Sequence, residues 1–256
     1  MRKKIIAANW KMYMTVTETE NFYRAFSAEV PRNNRFEILI APPATALAKL
    51  SELNARASQR IRLAAQNMFY EESGAYTGEI SPTMLRELFV QYVLLGHSER
   101  RQIFGESDVL IARKVRAALH YRLCPILCIG ETRGQRDAGK EKEVLEHQLR
   151  VALQEVESSK LESIVVAYEP VWAIGAEQSA TPEQAQQSHT FIRCVLTHLF
   201  DAAIAVKIPI QYGGNVHAAN VVEFLSQPDI DGVLVGRASL EARKFADIIK
   251  AANELP

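Results

Sequence analysis

The run Ile164-Val165-Val166-Ala167-Tyr168 is followed at once by Glu169-Pro170-Val171-Trp172-Ala173-Ile174-Gly175. Apolar residues in succession, without the alternation of a half-buried strand, read as a strand covered on both faces, as in a parallel sheet. The pattern recurs at Lys4 to Ala8, Phe36 to Ala41, Ile61 to Ala65, Tyr92 to Leu95, Pro125 to Ile129, Pro209 to Tyr212 and Gly232 to Val235. Between these runs lie longer segments with helical spacing. In Ser107 to Tyr121, for example, Val109, Leu110, Val115, Ala118 and Leu119 are assigned to one side, with Arg113, Lys114 and Arg116 elsewhere. Thr181-Pro182-Glu183-Gln184 supplies a helix start, with Thr181 as cap, Pro182 in the first turn and Gln184 completing a capping box.

Strand-then-helix units repeated along the whole chain, with no Gly/Ser/Pro-rich linker, predict an α/β fold, a closed (β/α)8 barrel forming one domain over residues 1–256. An open doubly wound sheet is the alternative. The first run is followed by Asn9-Trp10-Lys11-Met12, which lacks the glycines of a dinucleotide fingerprint.

Composition narrows the function. With 256 residues, 48% of them hydrophobic and 23% charged, the chain can bury a large core. Lys+Arg and Asp+Glu are equal at 30 each, so neither a nucleic-acid partner nor an anionic membrane is expected. No apolar stretch reaches the roughly 18 to 20 residues of a membrane helix. The apolar run after Met1-Arg2-Lys3-Lys4 stops at Asn9, short of a signal-peptide core. Three cysteines are too few for a disulfide framework, and the odd count predicts a reducing, cytoplasmic location.

A barrel places its chemistry at the carboxyl ends of the strands. The positions after the runs include Asn9, Lys11, Gln66, Asn67, His97, Glu131, Glu169, Gly213 to Asn215, and Gly236. One lysine, one histidine and carboxylates with different neighbours are the equipment for moving protons on a small anion. Glu169, beside Pro170 and a largely apolar loop, loses solvation when that loop closes. This raises its pKa and makes it the general-base candidate, with a strand-end ion pair as the alternative.

His97 sits where a short helix would begin, which disfavours imidazolium and leaves a neutral ring able to donate to a carbonyl. Lys11 can neutralise a substrate anion, with a solvated surface charge as the alternative. Gly213-Gly214 and Gly236 fall where barrels bind phosphate through backbone N–H groups. His120, His147, His189, His198 and His217 read as packed or solvated rings, and no metal site is expected. Cys124 and Cys128 lie about 13 Å apart along one strand and read as packed thiols. Trp10 and Trp172, which flank the set, read as core or loop anchors.

The motifs Ala8-Asn9-Trp10-Lys11-Met12, Ala65-Gln66-Asn67, Thr77-Gly78-Glu79-Ile80-Ser81-Pro82, Leu95-Gly96-His97-Ser98-Glu99-Arg100-Arg101, Cys128-Ile129-Gly130-Glu131, Tyr168-Glu169-Pro170-Val171-Trp172-Ala173-Ile174-Gly175 and Tyr212-Gly213-Gly214 resemble the triosephosphate isomerase family from end to end. The resemblance implies cofactor-free interconversion of dihydroxyacetone phosphate and glyceraldehyde 3-phosphate through an enediolate, a step of glycolysis and gluconeogenesis. In that family's scheme Glu169 shuttles the proton, neutral His97 polarises the carbonyl, and Lys11 and Asn9 stabilise the charge. Glu99 pairs with Lys11, and Ser98, Cys128 and Tyr212 support the site. The loop from Pro170 to Ala180 closes over a phosphate held by Gly175, Asn215, Gly236 and Arg237. The resemblance also implies a homodimer, with a loop at about 66–80 entering the partner so that Thr77 braces the neighbouring site.

Three positions depart from the family pattern. After Gly175 the family reads Thr-Gly-Lys-Thr, whereas this chain has Ala176-Glu177-Gln178-Ser179. Asn215 replaces a serine, and Arg237 replaces the second glycine after the last run. Asn215 is expected to accept a bond from the Glu177 backbone, and Arg237 to reach the phosphate or pair with Glu177. The alternatives are a related aldose–ketose isomerase acting on another phosphosugar, such as a tetrulose phosphate, and a non-catalytic binding barrel.

Overall fold

A computed structural model of the protein describes residues 2–57, 61–174 and 179–255. Among these residues lie eight strands: β1 (Ile5–Asn9), β2 (Glu37–Ala41), β3 (Arg62–Ala65), β4 (Tyr92–Leu95), β5 (Cys124–Ile129), β6 (Val165–Tyr168), β7 (Ile210–Tyr212) and β8 (Gly232–Val235). They pair in chain order, all parallel, and β8 returns to β1 with Ile5 opposite Gly232. The sheet is therefore closed and not open. Closure depends on Gly232: a β-carbon there would stand 2.1 Å from the Ile5 carbonyl oxygen.

The helices between them are α1 (Val16–Glu29), α2 (Ala44–Arg56), α3 (Pro82–Glu87), α4 (Ser98–Gln102), α5 (Asp108–His120), α6 (Arg133–Asp137), α7 (Glu141–Leu153), α8 (Pro182–Leu199), α9 (Ala202–Ala205), α10 (Val221–Leu225) and α11 (Ala242–Asn253). Because strand side chains alternate, each run feeds two cores. Ile5, Ala7, Leu39, Leu94, Ile126, Cys128, Val165 and Leu234 form the inner one. Ile6, Ala8, Ile40 and Val166 face outward and pack with Phe26, Val115, Leu149, Ile192 and Phe245 of the helices.

The start of α8 has the expected chemistry, with Thr181 and Gln184 in a reciprocal capping box and Pro182 in the first turn. Helix α5 departs from its expected facing. Its buried stripe runs through Ile111, Ala112, Val115, Ala118 and Leu119, and Val109 is 60% exposed. At about 100° per residue, Val109 and Leu110 point well away from that stripe. Lys114, expected elsewhere, is buried at its edge, where Nζ meets Glu106 Oε1 at 2.6 Å and Asn67 Oδ1 at 3.0 Å.

Candidate active site

Glu169 is the first residue after β6, and neighbouring strand ends fix its backbone. Its N–H donates to the Ile129 carbonyl at 2.8 Å, and the Gly213 N–H donates to the Tyr168 carbonyl at 2.8 Å. Gly130 lies close beneath, where a β-carbon would stand 1.8 Å from the Glu169 carbonyl oxygen. The carboxylate is buried and held by two donors, His97 Nε2 on Oε1 and the Ser98 N–H on Oε2, each at 2.9 Å. Burial pushes the Glu169 carboxyl up, but His97 and the Ser98 N–H outweigh it and bring its pKa below the ordinary value. The raised pKa expected for Glu169 belongs to the closed loop, of which residues 175–178 lie outside the described residues. Here the carboxylate keeps two strong hydrogen bonds, which favour its charged form.

His97 caps α4, its Nδ1 accepting the Glu99 N–H at 3.2 Å. Accepting at Nδ1 and donating at Nε2 is the hydrogen-bond pattern of the neutral ring expected at this helix start. Burial opposes imidazolium, while the adjacent Glu169 carboxylate and then Glu99 favour it, and the His97 pKa lies above its ordinary value. Moving the Glu169 carboxylate away removes the strongest pull toward protonation.

Lys11 occupies the left-handed region at φ 51°. A non-glycine residue there costs on the order of 1 kcal/mol and persists only when its surroundings enforce it. Asn9 Oδ1 accepts its N–H at 2.9 Å, and Gln66 Nε2 donates both to its carbonyl at 2.7 Å and to the Ala41 carbonyl at 2.9 Å. Residues at the carboxyl ends of β1, β2 and β3 thus fix the Lys11 backbone, and its ammonium meets Glu99 Oε1 at 2.7 Å.

Asn9, Lys11, His97 and Glu169 line a cavity of about 360 Å³ together with Gly213, Gly214, Asn215, Gly236 and Arg237. Arg237 is exposed and opens a 3₁₀ turn over Arg237–Leu240. That turn is anchored by Trp10 Nε1 on the Ser239 carbonyl at 3.0 Å. Asn215 Nδ2 donates to Ser179 Oγ at 3.1 Å. The expected bond from Glu177 to Asn215, the pairing of Glu177 with Arg237, and the phosphate contact of Gly175 lie outside the described residues. Thr77 is exposed in the segment after β3, away from these groups. Cys128 is buried in the barrel, where burial pushes its thiol well above the ordinary range; its carbonyl accepts Arg101 Nη2 at 3.2 Å. Tyr212 directs its hydroxyl beneath Gly214, where a β-carbon would stand 2.1 Å from that oxygen.

Two supporting arrangements escaped the sequence reading. Glu131, noted only as a strand-end residue, is fully buried and accepts from Tyr168 Oη at 3.0 Å, Trp172 Nε1 at 2.8 Å and Arg136 Nη1 at 2.9 Å. The start of the loop after Glu169 is thus tied to the end of β5. Tyr168 and Trp172 were the available signal, since each buries a polar atom that needs a partner. Arg101 clamps the ends of β4 and β5 through the Gly96 and Cys128 carbonyls. Among the described residues no cluster of three or more His, Cys, Asp or Glu side chains is arranged to hold a metal ion.

The family model described as triosephosphate isomerase matches residues 4–252. The triosephosphate isomerase of Dictyoglomus turgidum is 48% identical over 251 residues, which cover 98% of this chain and all of that protein. That of Chloroflexus aurantiacus is 48% identical over 249 residues, 97% of this chain and 99% of its own. That of Carboxydothermus hydrogenoformans is 46% identical over 252 residues, 98% of this chain and all of its own. These matches span the whole barrel, and the chain belongs to the triosephosphate isomerase family.

Proposed function

We infer that the protein is an aldose–ketose isomerase, a triosephosphate isomerase that interconverts dihydroxyacetone phosphate and D-glyceraldehyde 3-phosphate in glycolysis and gluconeogenesis. The observation that carries the reading is the convergence of Glu169, His97 and Lys11 on one cavity at the carboxyl ends of the strands. Membership of residues 4–252 in one family supports treating residues 1–256 as a single catalytic domain.

In the proposed reaction Glu169 leaves its two donors and takes a proton from C1 of dihydroxyacetone phosphate. The C1–H electron pair becomes the C1–C2 double bond, and the carbonyl electrons move onto O2. His97 Nε2–H hydrogen-bonds to the carbonyl oxygens, while the Lys11 ammonium stabilises the oxyanion and Asn9 adds a polar contact. His97 Nε2 gives its proton to O2 and takes the one on O1, the O1–H electron pair becomes the C1=O1 double bond of the aldehyde, and the C1–C2 π pair takes the proton back from Glu169 at C2. Losing the His97 and Ser98 hydrogen bonds while remaining buried makes Glu169 a stronger base at the moment it is needed.

The substrate phosphate is assigned to the glycine-rich part of the same lining. Backbone at Gly213, Gly214 and Gly236 allows close approach, and Asn215 and the Arg237 guanidinium lie beside it. Gly175 would complete this grip, and Ser98 and Tyr212 would hold the surrounding loops.

A homodimer is also proposed. Met12 and Tyr13 after β1, Tyr76 after β3, and Ile103 and Phe104 after β4 are all exposed apolar groups on neighbouring loops. The 66–80 segment is internally folded, with Phe69 against Tyr70 and Tyr76, and it carries exposed Thr77 outward. Such a surface suits burial against a second copy. The three cysteines are free, which supports the cytoplasmic assignment, and no helix among the described residues is long and apolar enough to cross a membrane.

The test is the isomerisation rate of purified protein with glyceraldehyde 3-phosphate, beside erythrulose 4-phosphate. Rapid triose turnover, lost in Glu169→Asp, is expected. A preference for the tetrulose would move the assignment to another phosphosugar.

A further inference from the structure

A basic concavity lies at the other end of the barrel from the active site. A cavity of about 780 Å³, larger than that of the active site, opens beside the amino ends of β1, β2 and β3. Six cationic side chains line it: Arg2, Lys3, Lys4, Arg32, Arg35 and Arg62. Glu37 is the carboxylate among its lining residues. In a chain with equal numbers of acidic and basic residues, this is a strong local segregation of charge.

Part of it has a structural explanation. Arg2 is paired with Asp231, and Arg35 donates to the Leu255 carbonyl just beyond α11, where a helix end favours a cation. The rest does not. Lys3 at 3.2 Å and Arg62 at 2.6 Å share the single Glu37 carboxylate. Among the described residues Lys4 and Arg32 meet no carboxylate; the Lys4 ammonium lies 5.9 Å over the Phe36 ring, and Arg32 is exposed. Like charges gathered round a concavity repel one another and focus a positive field into it, and an anion seated there relieves the repulsion. Phe36 is buried, so the lining offers no free aromatic face for a nucleobase.

We propose that this cavity binds a short polyphosphate chain, recognised through its phosphates by Lys3, Lys4, Arg32 and Arg62, independently of the isomerase site. The proposal does not rest on the assignment of the activity.

The experiment is calorimetric titration of inorganic tripolyphosphate into the full-length protein at low ionic strength, without divalent cations. Saturable one-to-one binding is expected, weakened at least about tenfold in Lys4→Glu/Arg32→Glu, which adds repulsion at both positions. Binding should persist in Lys11→Ala, and the isomerase kcat and KM of the double variant should match wild type. Should the charge reversal unfold the protein, Lys4→Gln/Arg32→Gln, checked by circular dichroism, is expected to weaken binding several-fold. ATP as a second probe should bind no more tightly than tripolyphosphate, and a markedly tighter ATP would overturn recognition through phosphates alone. Absence of saturable binding, or binding lost in Lys11→Ala and retained in the double variant, would overturn the site itself.

Discussion

At the scale of single residues, protonation depends on what each group touches. His189 on α8 is wholly buried, with Nδ1 donating to the Asp229 carbonyl at 3.1 Å and its ring edge-on to Tyr168. Burial brings its pKa down to about 4. In the unfolded chain the ring titrates near 6.5, so below that pH the unfolded state binds a proton that the native state refuses. Native stability attributable to this site is therefore full above pH 6.5 and falls as pH drops toward 4, by up to ~3 kcal/mol. Urea unfolding of wild type and His189→Gln at pH 7 and pH 4.5 should show a smaller acid loss in the variant. An equal loss in both would assign it elsewhere. Arg237, exposed at the cavity wall, belongs to a weaker class of interaction. Arg237→Ala should raise KM about 2- to 5-fold with little change in kcat, and steady-state kinetics would detect it.

At the scale of elements, strand ends and short turns position the chemistry. Gly130 lets the backbone of Glu169 pass over the end of β5. Gly130→Ala should move the base and lower kcat by ~10²-fold, since a displacement of about 1 Å at a reacting group has that cost. Unchanged kcat in the folded variant would show that Glu169 tolerates the shift. The strands were legible in the sequence to within one residue because runs buried on both faces carry no competing pattern. Strand-end position also drew Asn9, Lys11, His97 and Glu169 into one candidate set with Gln66, Asn67 and Glu131, and the first four line one cavity. The facing of α5 was harder to read: a buried Lys114 looks like any surface lysine until Glu106 is found beside it. The depressed pKa of Glu169 was hidden for a similar reason. It depends on Ser98 and His97, which only the closure of β4, β5 and β6 brings to the carboxylate.

At the scale of the molecule, the barrel separates two charged ends, a mixed catalytic face and a basic floor. The exposed apolar loops around Met12, Tyr76, Ile103 and Phe104 predict a second copy across that side. Sedimentation velocity should give a mass near twice 28.7 kDa, with Ile103→Arg shifting the protein toward monomer. A monomeric wild type at micromolar concentration would remove the dimer from the account.

In the proposed reaction Glu169 carries a proton between adjacent carbons of a triose phosphate. Conversion of dihydroxyacetone phosphate in D2O, followed by NMR of the product, tests it most directly. Glyceraldehyde 3-phosphate bearing deuterium at C2 is expected, formed ~10³-fold more slowly by a folded Glu169→Gln variant. Product formed at the wild-type rate by that variant, or product free of deuterium, would contradict it.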